Sequence, residues 1–466
     1  MGLSSEEEKG WFKVSYNIGM ISLGCEKNRV DAELMLGKIK CEKYKIVSDL
    51  AKADAVIVNT CGFIRAAKEE SIDEILSLVK IKLSKKARLK HIIVTGCLAQ
   101  RYKEELVREV PSIDGIIGIG SNGKIKEALD KVFKNEKVSL FSKKEEMPMD
   151  GERVLTTPKY FAYLKIADGC DNFCSYCAIP VIRGRFRSRH KEEIINEAKN
   201  LVKRGVKELL VIAQDTTRYG EDLYGKLELP ALLRELCQIE NLHWIRLMYC
   251  YPERITDELL DLIEKEDKIL NYIDIPLQHC DKRILEPMNR RGDRKWLENL
   301  IRKMRDKIPN LVLRTTFICG FPGEGEEEFN ELKDFVSKLK FDRVGCFAYS
   351  REEGTKAFGM SGQVDEEIRE KRCMDIMKIQ EKIAEEKGKS IVGKTIEVLT
   401  EGIDEETGFW FGRGIGEAPE VDGKIFFTIN EKSAGKNLEG KFVMVKVEEY
   451  DDYNLIGRME EYPEVL

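Results

Sequence analysis

The sequence lacks the long apolar runs that a membrane protein requires. No stretch approaches the roughly 20 consecutive apolar residues that cross a bilayer, and 35% of the 466 residues are charged. The opening residues have no apolar core of the kind found in signal peptides. Glu6 stands where a myristoylation signal has Ser or Thr. These absences predict a cytoplasmic protein that does not enter a membrane.

The chain also lacks an excess of positive charge. Its 78 Lys and Arg stand against 83 Asp and Glu, which gives a formal net charge of −5. Proteins that bind nucleic acid use positive charge to displace counterions from the phosphates. The chain as a whole therefore offers no general attraction to RNA or DNA. Its length exceeds what one hydrophobic core supports, so two or three domains are expected.

Cysteine, in contrast, is plentiful. In a reducing compartment 13 cysteines are poor candidates for disulfides and better candidates for metal ligands. Three of them, Cys170, Cys174 and Cys177, form a CxxxCxxC loop with no fourth Cys or His at zinc-knuckle spacing. The spacing favours a [4Fe-4S] cluster with one iron open to another ligand. A structural zinc site and three unrelated core cysteines are the alternatives.

The first third of the chain alternates strand and helix patterns, which predicts a parallel sheet covered by helices. The predicted strands, at 14–23, 55–58 and 91–94, are each followed by a cysteine: Cys25, Cys61 and Cys97, at intervals of 36 residues. Successive strands would deliver these thiols to the carboxyl edge of the sheet, where such sheets bind ligands. A glycine beside each cysteine would let the backbone approach a bulky cluster. The pattern predicts a second three-cysteine iron-sulfur site, with zinc and a distant fourth ligand, or core packing, as alternatives. The remaining cysteines are interpreted as packing residues: Cys41, Cys237, Cys250, Cys280, Cys319, Cys346 and Cys373.

Six further strand patterns separated by helical stretches predict an open, partial version of the eight-unit barrel. The strands are expected at 161–166, 208–213, 244–249, 272–276, 312–318 and 344–349. Polar residues follow several of them, at the rim where such barrels carry their sites. His279 is interpreted as a hydrogen-bonded core residue, with a catalytic role as the alternative. Four arginines beyond the cysteine loop form either a basic rim or a solvated loop: Arg183, Arg185, Arg187 and Arg189.

The end of the chain changes to short strands, at 395–399, 409–412, 423–428, 441–448 and 455–458, which predicts a small β-barrel. From Lys394 onward it holds 17 Asp and Glu against 8 Lys and Arg. Such a module would repel RNA and attract a basic protein. A merely soluble acidic surface is the alternative. The expected fold class is α/β: an N-terminal parallel sheet domain, a central open (β/α)6 partial TIM barrel and a small antiparallel C-terminal barrel.

Taken together, the motifs resemble the radical SAM methylthiotransferase family over nearly the whole chain. The segments 23–31, 59–71 and 96–101 are similar to its N-terminal domain, 169–189 to its radical S-adenosylmethionine (SAM) core, and the final barrel to its TRAM domain. Features of the branch that modifies a ribosomal protein are Glu26-Lys27-Asn28 after Cys25, and Phe63-Ile64, Ala67-Lys68 and Glu70-Ser71 after Cys61. Glu26 departs from the proline common at that place, but it is not a ligand.

The resemblance implies a domain order and a chemistry. The expected domains are the methylthiotransferase N-terminal domain at 14–133, the radical SAM domain at 156–388 and the TRAM domain at 389–466. Two segments fall outside the resemblance: a charged leader at 1–13, and a polar, weakly patterned segment at 134–155 that is interpreted as a linker. The cluster at Cys170, Cys174 and Cys177 would cleave SAM, and the cluster at Cys25, Cys61 and Cys97 would supply sulfur. The product would be a methylthio group on the β-carbon of an aspartate in small-subunit ribosomal protein twelve, with a second SAM as methyl donor. Candidate SAM contacts are Tyr176, Gln214, Asp215, Gln278, Gly320 and Glu324.

Partners follow from the same resemblance. The substrate is expected to bind through the acidic TRAM barrel, an electron donor such as a flavodoxin or ferredoxin is required, and a sulfur source must reload the protein. The acidic barrel argues against RNA. A tRNA adenosine methylthiotransferase is the alternative enzyme. An iron-sulfur electron carrier or scaffold is the alternative of another class, although a carrier has no need of six βα units with polar strand ends.

Overall fold

The computed structural model describes residues 15–84, 87–430 and 435–461. The predicted leader at 1–13 lies outside the described residues. The chain divides into two compact units, Met1–Thr156 and Thr157–Leu466. Among the helices of the described ranges, none combines the length and apolar character that a membrane span requires.

Unit 1 is built on a six-stranded parallel sheet, as predicted for this part of the chain. Its strands are β1 Tyr16–Ser22, β2 Tyr44–Ile46, β3 Ala55–Thr60, β4 His91–Gly96, β5 Gly115–Ile117 and β6 Val138–Leu140, in the order β2-β1-β3-β4-β5-β6. Its helices are α1 Glu26–Ile39, α2 Arg65–Leu83, α3 Cys97–Arg101, α4 Lys103–Glu109 and α5 Ile125–Val132. Every residue of β3 is buried because separate apolar clusters cover the two faces of the sheet. The sequence pattern missed β2, β5 and β6, which have three residues each and show no period.

The segment predicted to be a linker is folded against unit 1. It contains β6, which pairs with β5. Farther along, the buried Arg153 guanidinium lies 2.6 Å from a carboxylate oxygen of Glu33. The Thr156 N–H donates to the same carboxylate at 2.7 Å. A Cβ on Gly37 would lie 1.9 Å from the carbonyl oxygen of Glu152. The polar composition that indicated a linker therefore serves specific contacts.

Unit 2 begins with the predicted open barrel. Its six parallel strands are β7 Phe161–Lys165, β10 Glu208–Ile212, β11 Trp244–Leu247, β12 Ile269–Asp274, β13 Val312–Cys319 and β14 Arg343–Ala348. They lie in the order β14-β13-β12-β11-β10-β7, so that each strand neighbours the next one along the chain, as in an incomplete TIM barrel. A short antiparallel pair, β8 Ala167–Asp168 and β9 Arg187–Ser188, closes the base of the cysteine loop. The helices are α6 Ile179–Arg183, α7 Lys191–Lys203, α8 Glu221–Tyr224, α9 Leu229–Cys237, α10 Asp257–Lys265, α11 Lys282–Leu285, α12 Arg294–Lys307, α13 Glu326–Leu339 and α14 Glu366–Lys389.

The end of unit 2 is a closed five-stranded barrel, and all five predicted strands are present. They are β15 Thr395–Ile403, β16 Trp410–Arg413, β17 Ile425–Thr428, β18 Phe442–Asp451 and β19 Asn454–Glu461. One difference from the expected antiparallel barrel is the parallel pairing of β17 with β19, which closes the barrel order β15-β16-β17-β19-β18. Val398, Ile425, Phe427 and Val445 are fully buried in its core.

The connection between β16 and β17 fills the amino-terminal mouth of the open barrel. Arg413 forms an ion pair of 2.7 Å with the buried Glu208, at the first position of β10. Arg246 donates from β11 to the carbonyl oxygen of Ile415 at 2.8 Å and to Glu208 at 2.7 Å. Tyr272 donates to Asp422 at 2.7 Å. The small barrel is thus attached at the end of the strands opposite to the cysteine loop.

Candidate active site

The CxxxCxxC loop lies between β8 and α6, at the carboxyl end of β7. The loop closes on itself because Cys170 donates its N–H to the carbonyl oxygen of Gly184 at 3.2 Å. Gly169 has a φ of +76°, and a Cβ there would lie 2.1 Å from the carbonyl oxygen of Arg185. Only glycine fits this crossing without a shift of the backbone.

The three cysteines of this loop differ in burial: Cys170 is buried, whereas Cys174 and Cys177 are partly buried. Burial raises the pKa of Cys170 to about 12 and raises that of Cys177 further. A positively charged centre removes this obstacle because it binds the thiolate form directly. Three thiol donors are the ligand type that holds iron-sulfur clusters, so the donor set fits the cluster that the spacing predicts. Sequence reasoning missed Tyr251, whose hydroxyl lies 2.8 Å from the Cys174 sulfur; its only signal was its position after β11.

An ion network at the base of the loop holds it on the barrel. Asp168 is completely buried, and its carboxylate lies 2.9 Å from Lys165 and 2.7 Å from Arg183. These cations hold its pKa far below the usual range of a carboxyl group, despite burial that opposes the ionised form. Arg189 is also buried and donates to the Lys165 carbonyl oxygen at 2.6 Å. The expectation of a basic rim or solvated loop is thus wrong for Arg183 and Arg189, whereas Arg185 is 70% exposed.

Two candidate SAM contacts belong to one turn. Gly320, with a φ of +73°, follows β13 and donates its N–H to Glu324 at 2.9 Å. Arg372 of α14 donates to the same carboxylate at 2.9 Å. Burial raises the pKa of Glu324 to about 7. Glu324 therefore braces the turn, while Tyr176 of the cysteine loop meets Phe321 of this turn edge to face, with ring centroids 6.5 Å apart.

His279, beside the turn, is a fully buried core residue, as interpreted from the sequence. Its Nδ1 accepts the N–H of Asp281 at 3.0 Å, and burial lowers its pKa to about 4. The neutral ring is therefore its form in the folded protein.

The other candidate contacts divide by role. Asp215 is buried and accepts from Asn172 at 2.8 Å and Arg254 at 3.0 Å, which pins the cysteine loop. Gln278 has a φ of +73° and is bonded through its backbone to β13. Within the described ranges, buried side-chain oxygens of Gln214 and Ser175 have no hydrogen-bond partner. Such orphaned acceptors at the carboxyl end of a barrel fit a polar ligand.

A cavity of about 770 Å³ opens beside the cysteine loop. This volume lies within the range typical of small-molecule sites. Its lining mixes charges of both signs: Arg218, Arg254, Arg290 and Arg291 with Asp171, Glu221, Glu253 and Glu286. The cavity can therefore accept groups of either charge close to the cluster loop.

The second predicted site lies in unit 1, where Cys25, Cys61 and Cys97 follow β1, β3 and β4. These strands are neighbours in the sheet, so the three turns meet at one edge. A Cβ on Gly24 would lie 2.6 Å from Cβ of Cys61, and one on Gly62 would lie 2.7 Å from Cα of Leu98. The glycines therefore let the three turns approach one another, which is a different reason from the approach of a cluster expected from the sequence. Cys25 is exposed, whereas Cys61 and Cys97 are buried.

Two side chains fix the shape of this edge. The Ser71 hydroxyl, on α2, accepts the N–H of Cys61 and donates to its carbonyl oxygen, both at 3.0 Å. The Asn28 amide, on α1, donates to the carbonyl oxygens of Leu23 at 2.8 Å and Thr60 at 3.2 Å. Both residues stand in the motifs that carry the family resemblance, but their roles were not predicted.

Replacing Ser71 by Ala is expected to release the Cys61 turn. It leaves a buried N–H and a buried carbonyl without their partner, which costs about 1–3 kcal/mol. We expect a lower content of iron and labile sulfide per chain after anaerobic reconstitution. Ser77→Ala is the matched control because Ser77 is exposed on the same helix. Equal iron contents in the two variants would contradict this role.

The structure corrects the interpretation of three other cysteines. Cys319 of β13, Cys346 of β14 and Cys373 of α14 were predicted to be unpartnered packing residues. Their sulfurs instead lie together, 3.4 Å apart for the first pair and 3.3 Å for the second. In the described part of the chain, these three cysteines form a group of side chains that could ligate one metal ion, because their sulfurs all lie within 4.8 Å of one another. Their spacing of 27 residues, twice, was the available signal.

Comparison with known families agrees with this organisation. Residues 164–336 match the radical SAM superfamily, residues 17–118 match the uncharacterized protein family UPF0004, and residues 392–459 match the TRAM domain. Among solved structures, the radical S-adenosylmethionine methyltransferase TsrM from Kitasatospora setae is similar with a TM-score of 0.55 and 14% identity. The match covers 74% of this chain and 77% of that chain, and it shows the fold alone.

Curated relatives match over nearly their whole length. The ribosomal protein uS12 methylthiotransferase RimO of Thermoanaerobacter sp. (strain X514) is 48% identical over 95% of this chain and 99% of the relative. The protein of the same name from Caldanaerobacter subterraneus subsp. tengcongensis is 49% identical, with the same coverage. That from Clostridium botulinum (strain Eklund 17B / Type B) is 47% identical over 96% of this chain and 98% of the relative.

Proposed function

The chain belongs to the RimO family of ribosomal protein uS12 methylthiotransferases, and we propose that it adds a methylthio group to the β-carbon of an aspartate in that ribosomal protein. The observation that carries the proposal is the position of the two predicted cysteine triads, each following the carboxyl ends of strands in a parallel sheet. An electron carrier, even one with two clusters, needs no six-stranded open barrel and no substrate cavity. A sulfur-inserting enzyme needs both sites and the cavity of about 770 Å³.

We assign the radical step to unit 2. The chemistry that a bound cluster and SAM supply is reductive cleavage of SAM to a carbon radical that removes hydrogen from an unactivated carbon. Cys170, Cys174 and Cys177 would hold the cluster. Gln214 and Ser175 present the unpartnered oxygens that suit the polar groups of SAM. Glu324 holds the turn at Gly320 in place, so that it acts as a positioning residue.

We assign sulfur delivery to Cys25, Cys61 and Cys97, which would hold the second [4Fe-4S] cluster. Two of these thiols are buried and one is exposed. The exposed Cys25 leaves one side of the site open to an incoming sulfur source. Ser71 and Asn28 maintain the geometry of the turns that carry the cysteines, through hydrogen bonds to the backbone of those turns.

The acidic TRAM barrel is the proposed docking surface for the basic ribosomal protein. Part of its acidity is already neutralised, because Glu417 lies 3.0 Å from Arg343 and Asp422 lies 3.8 Å from Arg314. The acidic residues that remain exposed are Glu405, Glu406, Glu439, Glu448, Glu449, Asp451, Asp452 and Glu460, with Glu420 in contact with the open barrel. Because the barrel sits at the amino-terminal end of the strands, it would hold a part of the substrate remote from the modified aspartate.

The remaining partners follow from the chemistry. A small electron donor of the flavodoxin or ferredoxin class must reduce the protein, and a sulfur source must reload it. Among the described residues no disulfide joins two cysteines, which suits the cytoplasm as the place of action. The tRNA branch of the family remains the second candidate, since it uses the same three domains.

A direct competition tests the proposal. The reconstituted enzyme is supplied with SAM, sulfide and a reductant, together with ribosomal protein uS12 or with unmodified tRNA. Mass spectrometry is expected to find a methylthio group on one aspartate of the protein and none on the tRNA. Modified tRNA with unchanged protein would assign the chain to the other branch. Cleavage of SAM with neither product would leave the radical step intact and reject both substrates.

A further inference from the structure

The thiols of Cys319, Cys346 and Cys373 occupy the outer face of the open barrel. Cys319 and Cys346 stand on the adjacent strands β13 and β14, and Cys373 faces them from α14. Cys319 is fully buried, and the other two are half-buried. The nearby Phe347 and Met374 are 54% and 56% exposed. An ion can therefore reach the group from solvent, while the protein encloses its far side.

The spacing of the three sulfurs suits a single ion better than a cluster. Thiolates bound to one zinc ion at about 2.3 Å lie roughly 3.8 Å apart in tetrahedral geometry. The observed separations of 3.3 and 3.4 Å are shorter than that value by roughly 0.4–0.5 Å, and all three sulfurs lie within 4.8 Å of one another. In a [4Fe-4S] cluster each thiolate binds a different iron, so its ligand sulfurs stand farther apart.

We propose that Cys319, Cys346 and Cys373 bind one thiophilic metal ion of the zinc class, separate from both iron-sulfur sites. Thiolate ligands select such soft ions over calcium or magnesium. Three protein ligands leave a fourth position for water or a small exogenous thiol. The site does not depend on the proposed function, because none of its residues belongs to the two predicted cluster triads.

A bound ion at this position would help to hold the turn from Gly320 to Glu324, which contains two of the candidate SAM contacts. Cys319 directly precedes Gly320, where the turn to Glu324 begins. The helix α14 already holds that turn through Arg372, and Arg369 of the same helix donates to the carbonyl oxygen of Tyr349. An ion shared by β13, β14 and α14 adds a third connection at the same level. Its binding therefore stiffens the support of the turn without contacting the substrate.

The test uses the full-length enzyme with both iron-sulfur sites filled under anaerobic conditions. The protein is dialysed against buffered Zn²⁺ alone, and zinc and iron are measured per chain by mass spectrometry. We expect about one zinc per chain beside about eight irons. X-ray absorption at the zinc edge is expected to show three sulfur neighbours at about 2.3 Å.

Variants separate this site from zinc taken up by the iron sites. Cys373→Ser is expected to weaken zinc binding at least tenfold while the iron content and the circular dichroism spectrum stay unchanged. Cys41→Ser, which removes an exposed cysteine elsewhere, is expected to leave both metals unchanged. Less than about a tenth of a zinc per chain, unchanged zinc in Cys373→Ser, or a disulfide among the three cysteines in the anaerobic protein would each overturn the proposal.

Discussion

Replacing Cys177 by Ala is expected to abolish SAM cleavage and to lower the iron content from about eight to about four per chain. A three-thiolate site cannot spare a ligand, since the fourth iron is already open to solvent or SAM. The loop has no spare donor, because its other two cysteines are themselves ligands of the proposed cluster. The readouts are 5′-deoxyadenosine released in the presence of reductant and iron measured per chain.

A paired variant separates the two sites. Cys61→Ala is expected to lose a similar amount of iron, to retain SAM cleavage and to yield no methylthiolated protein. Cys41→Ala, at an exposed position outside both triads, serves as the control with full iron and full activity. If Cys61→Ala stopped SAM cleavage, or if Cys177→Ala kept about eight irons, the assignment of the two sites would be wrong.

Replacing Asp168 by Asn is expected to be the most destabilising single change in unit 2 that spares the thiols. The change leaves Lys165 and Arg183 as buried cations without their shared counterion. Loss of one partner from a buried ion network typically costs about 3–5 kcal/mol. Urea unfolding followed by tryptophan fluorescence reports on this unit, since Trp244, Trp296 and Trp410 lie in it.

The pH dependence of the same contribution has a definite sign. The folded-state pKa of Asp168 is lowered, so its stabilisation is present above the unfolded pKa of about 4 and is lost as the pH falls toward the folded value. The difference in free energy of unfolding between the wild type and Asp168→Asn should therefore stay constant near neutral pH and become smaller only in acid. Asp257→Asn is the control, because Asp257 is 64% exposed and solvent screens its pairing with Lys303. Equal losses in the two variants would contradict the importance of the buried network.

The fold was largely predictable because its signals are local. Strands of five or more residues, such as β7 and β10, show an apolar pattern in the sequence. The cysteines that follow β1, β3 and β4 recur at a fixed interval, so both signals can be read without knowledge of the fold. The strands β2 and β6 were not predictable, since three residues carry no period. Pairing of β17 with β19 depends on closure of a barrel, which no local pattern encodes.

The placement of the two cysteine triads after strands was predictable because the cysteines recur at fixed spacings, while their role as cluster ligands stays a prediction. The roles of Ser71 and Tyr251 were not predictable, because Ser71 acts on Cys61 from the following helix and Tyr251 acts on Cys174 from a distant part of the chain. Charge was also a misleading signal. Arg183 and Arg189 were expected at the surface, yet each is buried and bonded to a group inside the protein. Sequence shows the sign of a side chain but not its burial, so an excess of acidic residues in the TRAM barrel overstated the charge on its surface.

The small barrel cannot be removed without exposing buried groups of the open barrel. The last residue of β16 is Arg413, whose removal would leave the buried Glu208 and Arg246 without one of their partners. A truncated chain ending before residue 395 would thus lose solubility or structure for reasons unrelated to substrate binding. Domain-deletion and domain-swap experiments on this enzyme would report on folding rather than recognition. Substitutions on the exposed hairpin between β18 and β19 examine recognition while the interior stays intact.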